Sequence, residues 1–325
     1  MNIIFMGTPE FAVPSLRALL EEGYRVIAVV TQPDRPKGRK RVLTPTPVKV
    51  EAEKHGIPVL QPEKLRQAES VEVLRGLKPD LIVTAAYGQI LPKSVLELPE
   101  HGCINIHASL LPKYRGGAPI HHAIIRGEQV TGVTIMYMAE GLDTGDMISK
   151  VEVTIEDTDT TGSMFDKLSI AGAELLKRTL PDLLAGRLQA VPQNEAEAVY
   201  SPNIRREDEI IDWSRSAADI FNQVRGLHPF PGAYTLWNGD VMKVWACANP
   251  VSKESGDSPA SRKEVHLQGA SAAPGTVVNS GEQGIEVKTG NGTIWLTHIQ
   301  PAGKKAMDAA QFLRGVKIPA GTVLG

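Results

Sequence analysis

An asparagine and a histidine stand two positions apart in the segment Ile104-Asn105-Ile106-His107. Alternate side chains of a β-strand share a face, so Asn105 and His107 project together while the two isoleucines pack on the opposite side. An amide that donates hydrogen bonds beside an imidazole that exchanges protons can support acid–base chemistry. Such a pair is by itself more often a structural hydrogen-bonded pair, so the spacing alone leaves both interpretations open.

A carboxylate that could complete this chemistry follows a second apolar run. Asp143 lies in an acidic loop after the run from Val133 to Met138. Gly141 and Gly145 permit a sharp turn that holds Asp143 at the mouth of its strand, where a buried carboxylate can orient or protonate an imidazole. A solvated Asp-Thr-Gly turn is the plainer alternative.

Short apolar runs alternate with longer amphipathic segments through the first half of the chain, which is the pattern of β-α-β units. We therefore predict an α/β domain with a Rossmann-like, doubly wound and mostly parallel sheet, whose binding crevice lies at the carboxyl ends of the strands. The apolar runs are Ile3 to Met6, Val26 to Val30, Leu81 to Thr84, Cys103 to His107 and Val133 to Met138. The helical segments are Pro14 to Glu22, Val71 to Gly76 and Pro119 to Arg126.

The turn after the first run is not a dinucleotide-binding motif. The turn that begins at Gly7 lacks the other glycines of that fingerprint, and Asp34 only weakly imitates the expected ribose-binding acid. This excludes a dehydrogenase of the usual kind.

The length of 325 residues favours two domains with separate cores. A helical pattern from Met164 to Leu184 closes a first domain, predicted to span residues 1–189. Residues 190–207 are polar and are predicted to be a linker. Residues 208–325 show a helix and then short alternating runs with Asn-Gly turns, which predicts a small OB-like β-barrel. Residues 252–274 lack periodicity and are interpreted as a surface insertion.

Composition narrows the class of protein. Hydrophobic residues make up 42%, charged residues 22%, and the formal net charge is −2, as in ordinary soluble proteins. Cys103 and Cys247 are far apart in sequence, which disfavours a disulfide framework and a Cys-based zinc site and fits a reducing cytosol. The first apolar run ends at Gly7 and is too short for a signal peptide or a membrane span. We expect a cytoplasmic protein without a metal and without a membrane segment.

Taken together, residues 102–119 and 132–146 resemble the folate-dependent formyltransferase family. The resemblance implies 10-formyltetrahydrofolate as the formyl donor, no metal, and a catalytic trio of Asn105, His107 and Asp143. It also implies that folate is contacted by Ser109, Leu110, Leu111 and Pro112. The loop that borders the pterin pocket is implied to contain Tyr87, Gly88, Gln89, Ile90 and Leu91.

The opening segment from Met6 to Phe11 and the two-domain length are similar to those members of the family that formylate methionyl-tRNA. The segment from Asp34 to Lys49 carries six cations and one anion in a loop rich in proline and glycine, which can follow phosphates. The resemblance implies that this loop engages the acceptor end of charged initiator tRNA, with Arg39 prominent. The candidate tRNA-binding residues are Arg35, Lys37, Arg39, Lys40 and Arg41. A solvated charge run is the plainer alternative.

The resemblance also implies a tRNA contact by the C-terminal domain. Residues 208–325 contain 11 basic and 11 acidic side chains, so such a contact has to be a local patch. The candidates are Lys243, Lys304, Lys305, Arg314 and Lys317. No obligate protein partner is inferred.

Formyl transfer needs a neutral amine, a stabilised oxyanion and a proton route. We expect Asn105 and His107 to donate hydrogen bonds to the oxyanion, and Asp143 to hold the His107 tautomer and help to carry the proton through water. The expected product is N-formylmethionyl-tRNA for translation initiation. Two alternatives stay open: a sugar-nucleotide formyltransferase without the basic loop, and a non-enzymatic RNA-binding module in which the trio is incidental.

Overall fold

A computed structural model describes residues 1–38, 40–248 and 272–325 of the chain. Contacts within the chain divide it into two compact units. The first comprises Met1–Pro119, Val130–Thr154 and Phe165–Pro202, and the second comprises Ile120–Gln129, Ile155–Met164 and Asn203–Gly325. The boundary near residues 190–207 stays a prediction. Arg39 and most of the predicted insertion at 252–274 lie outside the described residues.

The first unit is built on a mostly parallel sheet. Its strands are β1 (Asn2–Gly7), β2 (Arg25–Val30), β3 (Arg35–Lys37), β4 (Val42–Thr44), β5 (Val59–Leu60), β6 (Leu81–Ala85), β7 (Cys103–His107), β8 (Val130–Tyr137) and β9 (Met147–Thr154). Seven of them form one sheet in the order β5-β2-β1-β6-β7-β8-β9. The pairs from β5 to β7 are parallel, whereas β8 and β9 are antiparallel to their neighbours. The predicted Rossmann-like, mostly parallel sheet is confirmed.

The strand order reverses between β1 and β6. From β1 the chain proceeds outward through β2 to β5, and then returns to add β6 and β7 on the other side of β1. In open α/β sheets such a reversal separates the two connecting loops and opens a crevice at the carboxyl ends. Gly7 ends β1 at this point, where a Cβ would lie 2.6 Å from Cβ of Ala12 and 3.0 Å from the carbonyl oxygen of Ala85. The close approach of the chain therefore requires glycine.

Helices cover the sheet with apolar residues spaced three or four positions apart. Leu16 and Leu19 of the first helix are buried, as are Val71 and Leu74 of the third. The helices are α1 (Val13–Glu21), α2 (Pro47–Lys54), α3 (Ala68–Leu77) and α4 (Lys93–Leu96), followed by α5 (Pro119–Ile125) and α6 (Thr161–Leu184), which have residues in both units. Within the described ranges, no helix is both long enough and apolar enough to traverse a bilayer.

The second unit contains an antiparallel sheet. Its strands are β10 (Ala233–Trp237), β11 (Asp240–Cys247), β12 (Val277–Gly281), β13 (Gly284–Lys288), β14 (Thr293–Gln300) and β15 (Met307–Asp308), and its further helices are α7 (Arg206–Glu209), α8 (Ala217–Gly226) and α9 (Ala309–Leu313). The path is β10-β11-β14-β13-β12, with β15 paired to β14. Asn238 (φ 52°) and Gly239 (φ 81°) form the predicted tight turn between β10 and β11. The OB-like topology stays a prediction.

Candidate active site

One face of the central strands changes from apolar to polar toward the carboxyl ends. Register pairs Ile82 with Cys103 and Thr84 with Asn105 on β6 and β7. Ile82 and Cys103 belong to the core formed with α3 and α4. Thr84, Asn105 and His107 continue the same row toward the crevice. The shared face predicted for Asn105 and His107 is therefore present, and Thr84 joins it.

Thr84 orients the amide of Asn105. Its Oγ1 lies 2.8 Å from Oδ1 of Asn105 and 3.1 Å from the carbonyl oxygen of Ile104, and the hydroxyl is the only donor among these groups. The shorter bond goes to Asn105, whose amide nitrogen then lies on the side away from Thr84. Thr84 is 2% exposed, whereas Asn105 is half-buried. The two amide hydrogens are thus directed away from the buried hydroxyl.

His107 is held by a backbone carbonyl. Its Nε2 lies 3.0 Å from the carbonyl oxygen of Tyr114, and because a carbonyl only accepts, Nε2 carries the proton and donates it. Nδ1 faces Oδ2 of Asp143 at 3.7 Å, which is an ion-pair distance and too long for a hydrogen bond. The expectation that Asp143 holds the His107 tautomer therefore differs from the structure, in which the Tyr114 carbonyl does so.

Asp143 reaches His107 through a loop that runs back along the sheet. Because β8 is antiparallel to β7, its last residue, Tyr137, pairs with Ile104 near the start of β7 and not with His107 at its end. Residues 138–146 return toward the end of β7. At the mouth of its own strand, as predicted from the sequence, Asp143 would have lain at the edge of the sheet opposite to His107.

Hydrogen bonds from Gly116 and Gln193 hold Asp143 in an unusual conformation. Its φ is +52°, which is uncommon for a residue with a Cβ. Oδ2 accepts a 2.8 Å hydrogen bond from the backbone N–H of Gly116, and the Asp143 carbonyl accepts one of 2.8 Å from the side chain of Gln193. Carboxylate and imidazole are therefore both anchored to neighbouring residues of one loop.

The predicted folate-contacting segment 109–112 follows β7. The hydroxyl of Thr134 donates to the Ser109 carbonyl at 2.7 Å, and Ser109 and Leu111 are fully buried. Pro112 is buried as well, whereas Leu110 is half-buried. Contacts from this segment to a ligand would therefore use the side chain of Leu110 and otherwise the backbone.

The predicted pterin-pocket loop 87–91 follows β6 and alternates between buried and open residues. Tyr87 and Leu91 are buried, Gly88 is exposed, and Ile90 is 81% exposed. Burial raises the pKa of Tyr87 to about 12, so its hydroxyl is neutral. Gln89 uses its side chain on backbone groups of the segment before α3. Gly88 and Ile90 thus remain the open residues of this loop.

The predicted tRNA-binding residues lie in and around the β3–β4 hairpin, where Lys37 pairs with Val42. Arg35 forms a 3.0 Å ion pair with Glu63, and both side chains are exposed. Lys40 and Arg41 are exposed, and the described part of the chain gives neither of them an acidic partner. These two cations are open to solvent and to a ligand.

The C-terminal candidates differ in exposure. Lys243 is half-buried, donates to the Pro231 carbonyl and lies over the Trp245 ring. The other candidates are exposed: Lys304, Lys305, Arg314 and Lys317.

Three residues at the site escaped prediction from the sequence. Thr84 offers a signal, since it is the polar residue that ends an otherwise apolar run. Arg115 and Gln193 offer none, because their contact joins positions 78 residues apart and Gln193 falls in the predicted linker. No group of three or more His, Cys, Asp or Glu side chains with metal-site geometry occurs in the ranges that the structure covers.

Comparison with known proteins covers nearly the whole chain. Residues 1–180 match the family described as "Formyl transferase", and residues 203–317 match "Formyl transferase, C-terminal domain". The methionyl-tRNA formyltransferases of Bacillus velezensis and Bacillus subtilis are each 56% identical over 325 residues, covering 100% of this chain and 98% of theirs. That of Halalkalibacterium halodurans is 59% identical over 328 residues, with the same coverage of 100% and 98%.

Solved structures share the fold at low identity. HypX from Aquifex aeolicus in complex with tetrahydrofolic acid has a TM-score of 0.62 and 20% identity, covering 98% of this chain and 48% of that one. The sugar 3N-formyltransferase WlaRD has a TM-score of 0.62 and 17% identity, covering 94% and 99%. From its matched families and its full-length relatives, the chain belongs to the formyl transferase family of enzymes.

Proposed function

We propose that this chain transfers the formyl group of 10-formyltetrahydrofolate to the α-amino group of methionyl-tRNA, giving N-formylmethionyl-tRNA for translation initiation. The observation that carries the proposal is the meeting of an amide donor, an imidazole and a carboxylate on one polar face, with His107 Nδ1 3.7 Å from Asp143. The full-length relatives named as methionyl-tRNA formyltransferases support the choice of acceptor.

The formyl donor supplies an electrophilic carbon, and attack by the amine develops an oxyanion. Asn105 donates an amide hydrogen to this oxygen. Because Thr84 holds Oδ1 at 2.8 Å, the amide does not need to rotate before it donates. A donor that is oriented in advance stabilises developing charge without a reorganisation cost, and losing one such donor typically costs about a hundredfold or more in turnover.

His107 accepts the proton at Nδ1. Its Nε2–H is engaged by the Tyr114 carbonyl, so Nδ1 is the nitrogen with a free lone pair. An imidazolium formed there faces the Asp143 carboxylate at 3.7 Å, which is an ion-pair distance. The same proton can then leave Nδ1 for the leaving nitrogen, directly or through one water. Asp143 thus faces the nitrogen that receives the proton.

The exposed apolar residues around the crevice fit the face of a flat ring. Ile90 is 81% exposed at the end of β6, beside the backbone of Gly88, and Leu110 is half-buried at the end of the neighbouring strand β7. Pockets for such ligands combine apolar walls with a few backbone donors and acceptors. We infer that Leu110, Ile90 and Gly88 hold the pterin, while the other predicted folate residues shape the two loops.

The basic hairpin supplies the contact to the tRNA acceptor end. Lys40 and Arg41 are exposed and without an acidic neighbour in the described ranges, so they can pair with phosphates without first breaking an ion pair. Arg39 stands between Gly38 and these two residues in sequence, and we assign it the same role. Since charged initiator tRNA is the proposed substrate, we propose a cytoplasmic location, without a metal and without an obligate protein partner.

The test is a formylation assay with 10-formyltetrahydrofolate and charged initiator tRNA. We expect N-formylmethionyl-tRNA to form, with a matched reaction on a nucleotide-linked amino sugar giving no product. Formylation of the sugar and not of the tRNA would replace the proposed acceptor. Binding of tRNA without formyl transfer would reduce the chain to an RNA-binding module.

A further inference from the structure

One segment touches both loops that carry the candidate catalytic groups. We call residues 191–201 the strap. At its start, Val191 exchanges two 2.8 Å backbone hydrogen bonds with Met147, just after the Asp143 loop. At its end, Ser201 donates a 2.7 Å bond to the carbonyl of Arg115 in the loop after β7. The strap therefore joins two loops that are otherwise separated by α5 and β8 along the chain.

Gln193 lies in the strap, and both its amide nitrogen and its amide oxygen form hydrogen bonds to these loops. Its amide nitrogen donates to the carbonyls of Asp143 and Gly145, each at 2.8 Å. Its Oε1 accepts a 2.9 Å bond from Nε of Arg115. An amide with both hydrogens donated and its oxygen occupied has one defined orientation. The backbone on both sides of Thr144 is thereby fixed to the strap.

Arg115 is buried, and it binds Glu195 of the strap as well as Gln193. Its side chain is 0% exposed, and its two terminal nitrogens bind the carboxylate of Glu195 at 3.0 and 2.7 Å. The Glu195 pair holds the pKa of Arg115 above its usual value, so the guanidinium stays charged. The planar guanidinium of Arg115, bound by Glu195 on one side, is a rigid donor to the Gln193 oxygen on the other.

The neighbours of Arg115 hold the reacting groups themselves. The carbonyl of Tyr114 accepts from His107 at 3.0 Å, and the N–H of Gly116 donates to the Asp143 carboxylate at 2.8 Å. Three consecutive residues thus bind the imidazole, the carboxylate and, through Gln193, the Asp143 backbone. Asp143 has φ +52°, a sparsely populated conformation for a residue with a Cβ, which persists only where its surroundings enforce it.

We propose that Gln193 and Arg115 are positioning residues that keep the Asp143 carboxylate beside Nδ1 of His107. Neither residue touches the reacting atoms in this role. The inference rests on the proposed function, because Asp143 matters only if the crevice transfers protons. Without the two amide bonds, the loop between Gly141 and Gly145 can relax out of the left-handed conformation and carry the carboxylate away.

The test is Gln193→Glu, which keeps the chain length and the contact to Arg115 but removes both amide donors. We expect kcat to fall roughly tenfold to a hundredfold, with KM for tRNA and for the folate changed less than about twofold. In an Asp143→Asn background, Gln193→Glu should cause no further loss, because both changes disable the same step. Losses that multiply in the double variant would overturn the proposal.

The matched control is Asn194→Ala, the next residue of the strap. Its side chain bonds Ala196 and Glu197, both within the strap. We expect it to turn over like the parent; an equal loss of kcat in both variants would mean general loosening and would overturn the proposal. If the melting temperature of the Gln193→Glu variant is far below that of the parent, Gln193→Met is tested in its place. Methionine lacks the amide donors and also lacks the charge of glutamate. If the parent formylates charged tRNA and the Gln193 variant is equally active, only the positioning role is refuted. If the parent itself is inactive, the proposed function is refuted.

Discussion

The crevice and the basic hairpin hold their polar groups in opposite ways. In the crevice, the imidazole of His107 and the carboxylate of Asp143 are each bonded to a backbone group, and both side chains are at most 15% exposed. In the hairpin, Lys40 and Arg41 are exposed and carry no acidic partner in the described ranges. The crevice holds its polar groups in fixed positions, whereas the hairpin exposes positively charged side chains to solvent.

The difference follows from what each region is proposed to do. Proton transfer and oxyanion stabilisation depend on distances of about 3 Å, so their groups must be held before the substrate arrives. Attraction to phosphates acts over a Debye length of roughly 8 to 10 Å and tolerates mobile side chains. Substitutions in the crevice should therefore change turnover, and substitutions in the hairpin should change the salt dependence of binding.

The largest effects are expected from the proposed catalytic trio. We expect Asn105→Ala and His107→Ala each to lower kcat by at least roughly a hundredfold, because each removes a group that stabilises the transition state. Asp143→Asn should be similarly impaired, since it removes the charge that faces Nδ1. Single-turnover assays on purified, folded variants provide the measurement. Near-normal turnover in Asn105→Ala and His107→Ala would end the catalytic assignment.

A smaller loss is expected when the orientation of Asn105 is freed. Thr84→Val keeps the shape of a side chain that is 2% exposed but removes the hydroxyl that holds Oδ1. We expect kcat to fall by roughly tenfold with little change in KM, because a preorganising hydrogen bond is removed. Thr84→Ser, which restores the donor, is the control and should recover most of the activity. Equal activity in the valine and serine variants would contradict this role.

The hairpin should respond in binding rather than in turnover. We expect the combined Arg39→Ala, Lys40→Ala and Arg41→Ala variant to flatten the log–log salt dependence of tRNA binding by about one unit for each phosphate that is no longer neutralised. Folate affinity should stay at the parent value. Arg75→Ala is the control, because it removes an exposed cation of α3 that pairs with Glu72 at 3.1 Å and is not among the candidate tRNA-binding residues. A salt titration in which the triple variant and the parent coincide would leave the hairpin as a solvated charge run.

The smallest effect on the reaction is expected in α2, the helix that follows the hairpin in sequence. Glu51 of α2 is 4% exposed, and Arg17 of α1 binds it at 2.6 and 2.8 Å, with Lys54 and His55 also in contact. The bond to Arg17 lowers the pKa of Glu51 from 4.5 to about 2. A carboxylate with a lowered pKa in the folded state stabilises the fold above the unfolded pKa and loses this contribution as pH falls.

For Glu51→Gln we therefore expect a free energy of unfolding lower by about 1 to 2 kcal/mol at pH 7, after allowance for the partial exposure of Arg17. The difference from the parent should shrink between pH 4.5 and about 2. Urea unfolding at several pH values measures this, and kcat at pH 7 should match the parent. A large loss of turnover in Glu51→Gln would show that α2 is coupled to the crevice.

Prediction from the sequence succeeds where contacts are local or periodic. Alternation put Asn105 and His107 on one face, and the Asn238-Gly239 turn followed from residue types alone. The course of the Asp143 loop was predicted wrongly, because an apolar run does not reveal whether its strand is parallel or antiparallel. Gln193 was taken for part of a linker, since a hydrogen bond between residues 78 positions apart leaves no periodic trace.

The strap also sets an order of events during synthesis. Arg115 is 0% exposed, but its partners Gln193 and Glu195 follow it by 78 and 80 residues. At a translation rate of about 5 to 20 residues per second, the ribosome needs roughly 4 to 16 s to deliver them. Because burying a guanidinium without its counter-charge is costly, the bidentate pair with Glu195 and the hydrogen bond to Gln193 form only after the chain has been extended past residue 195.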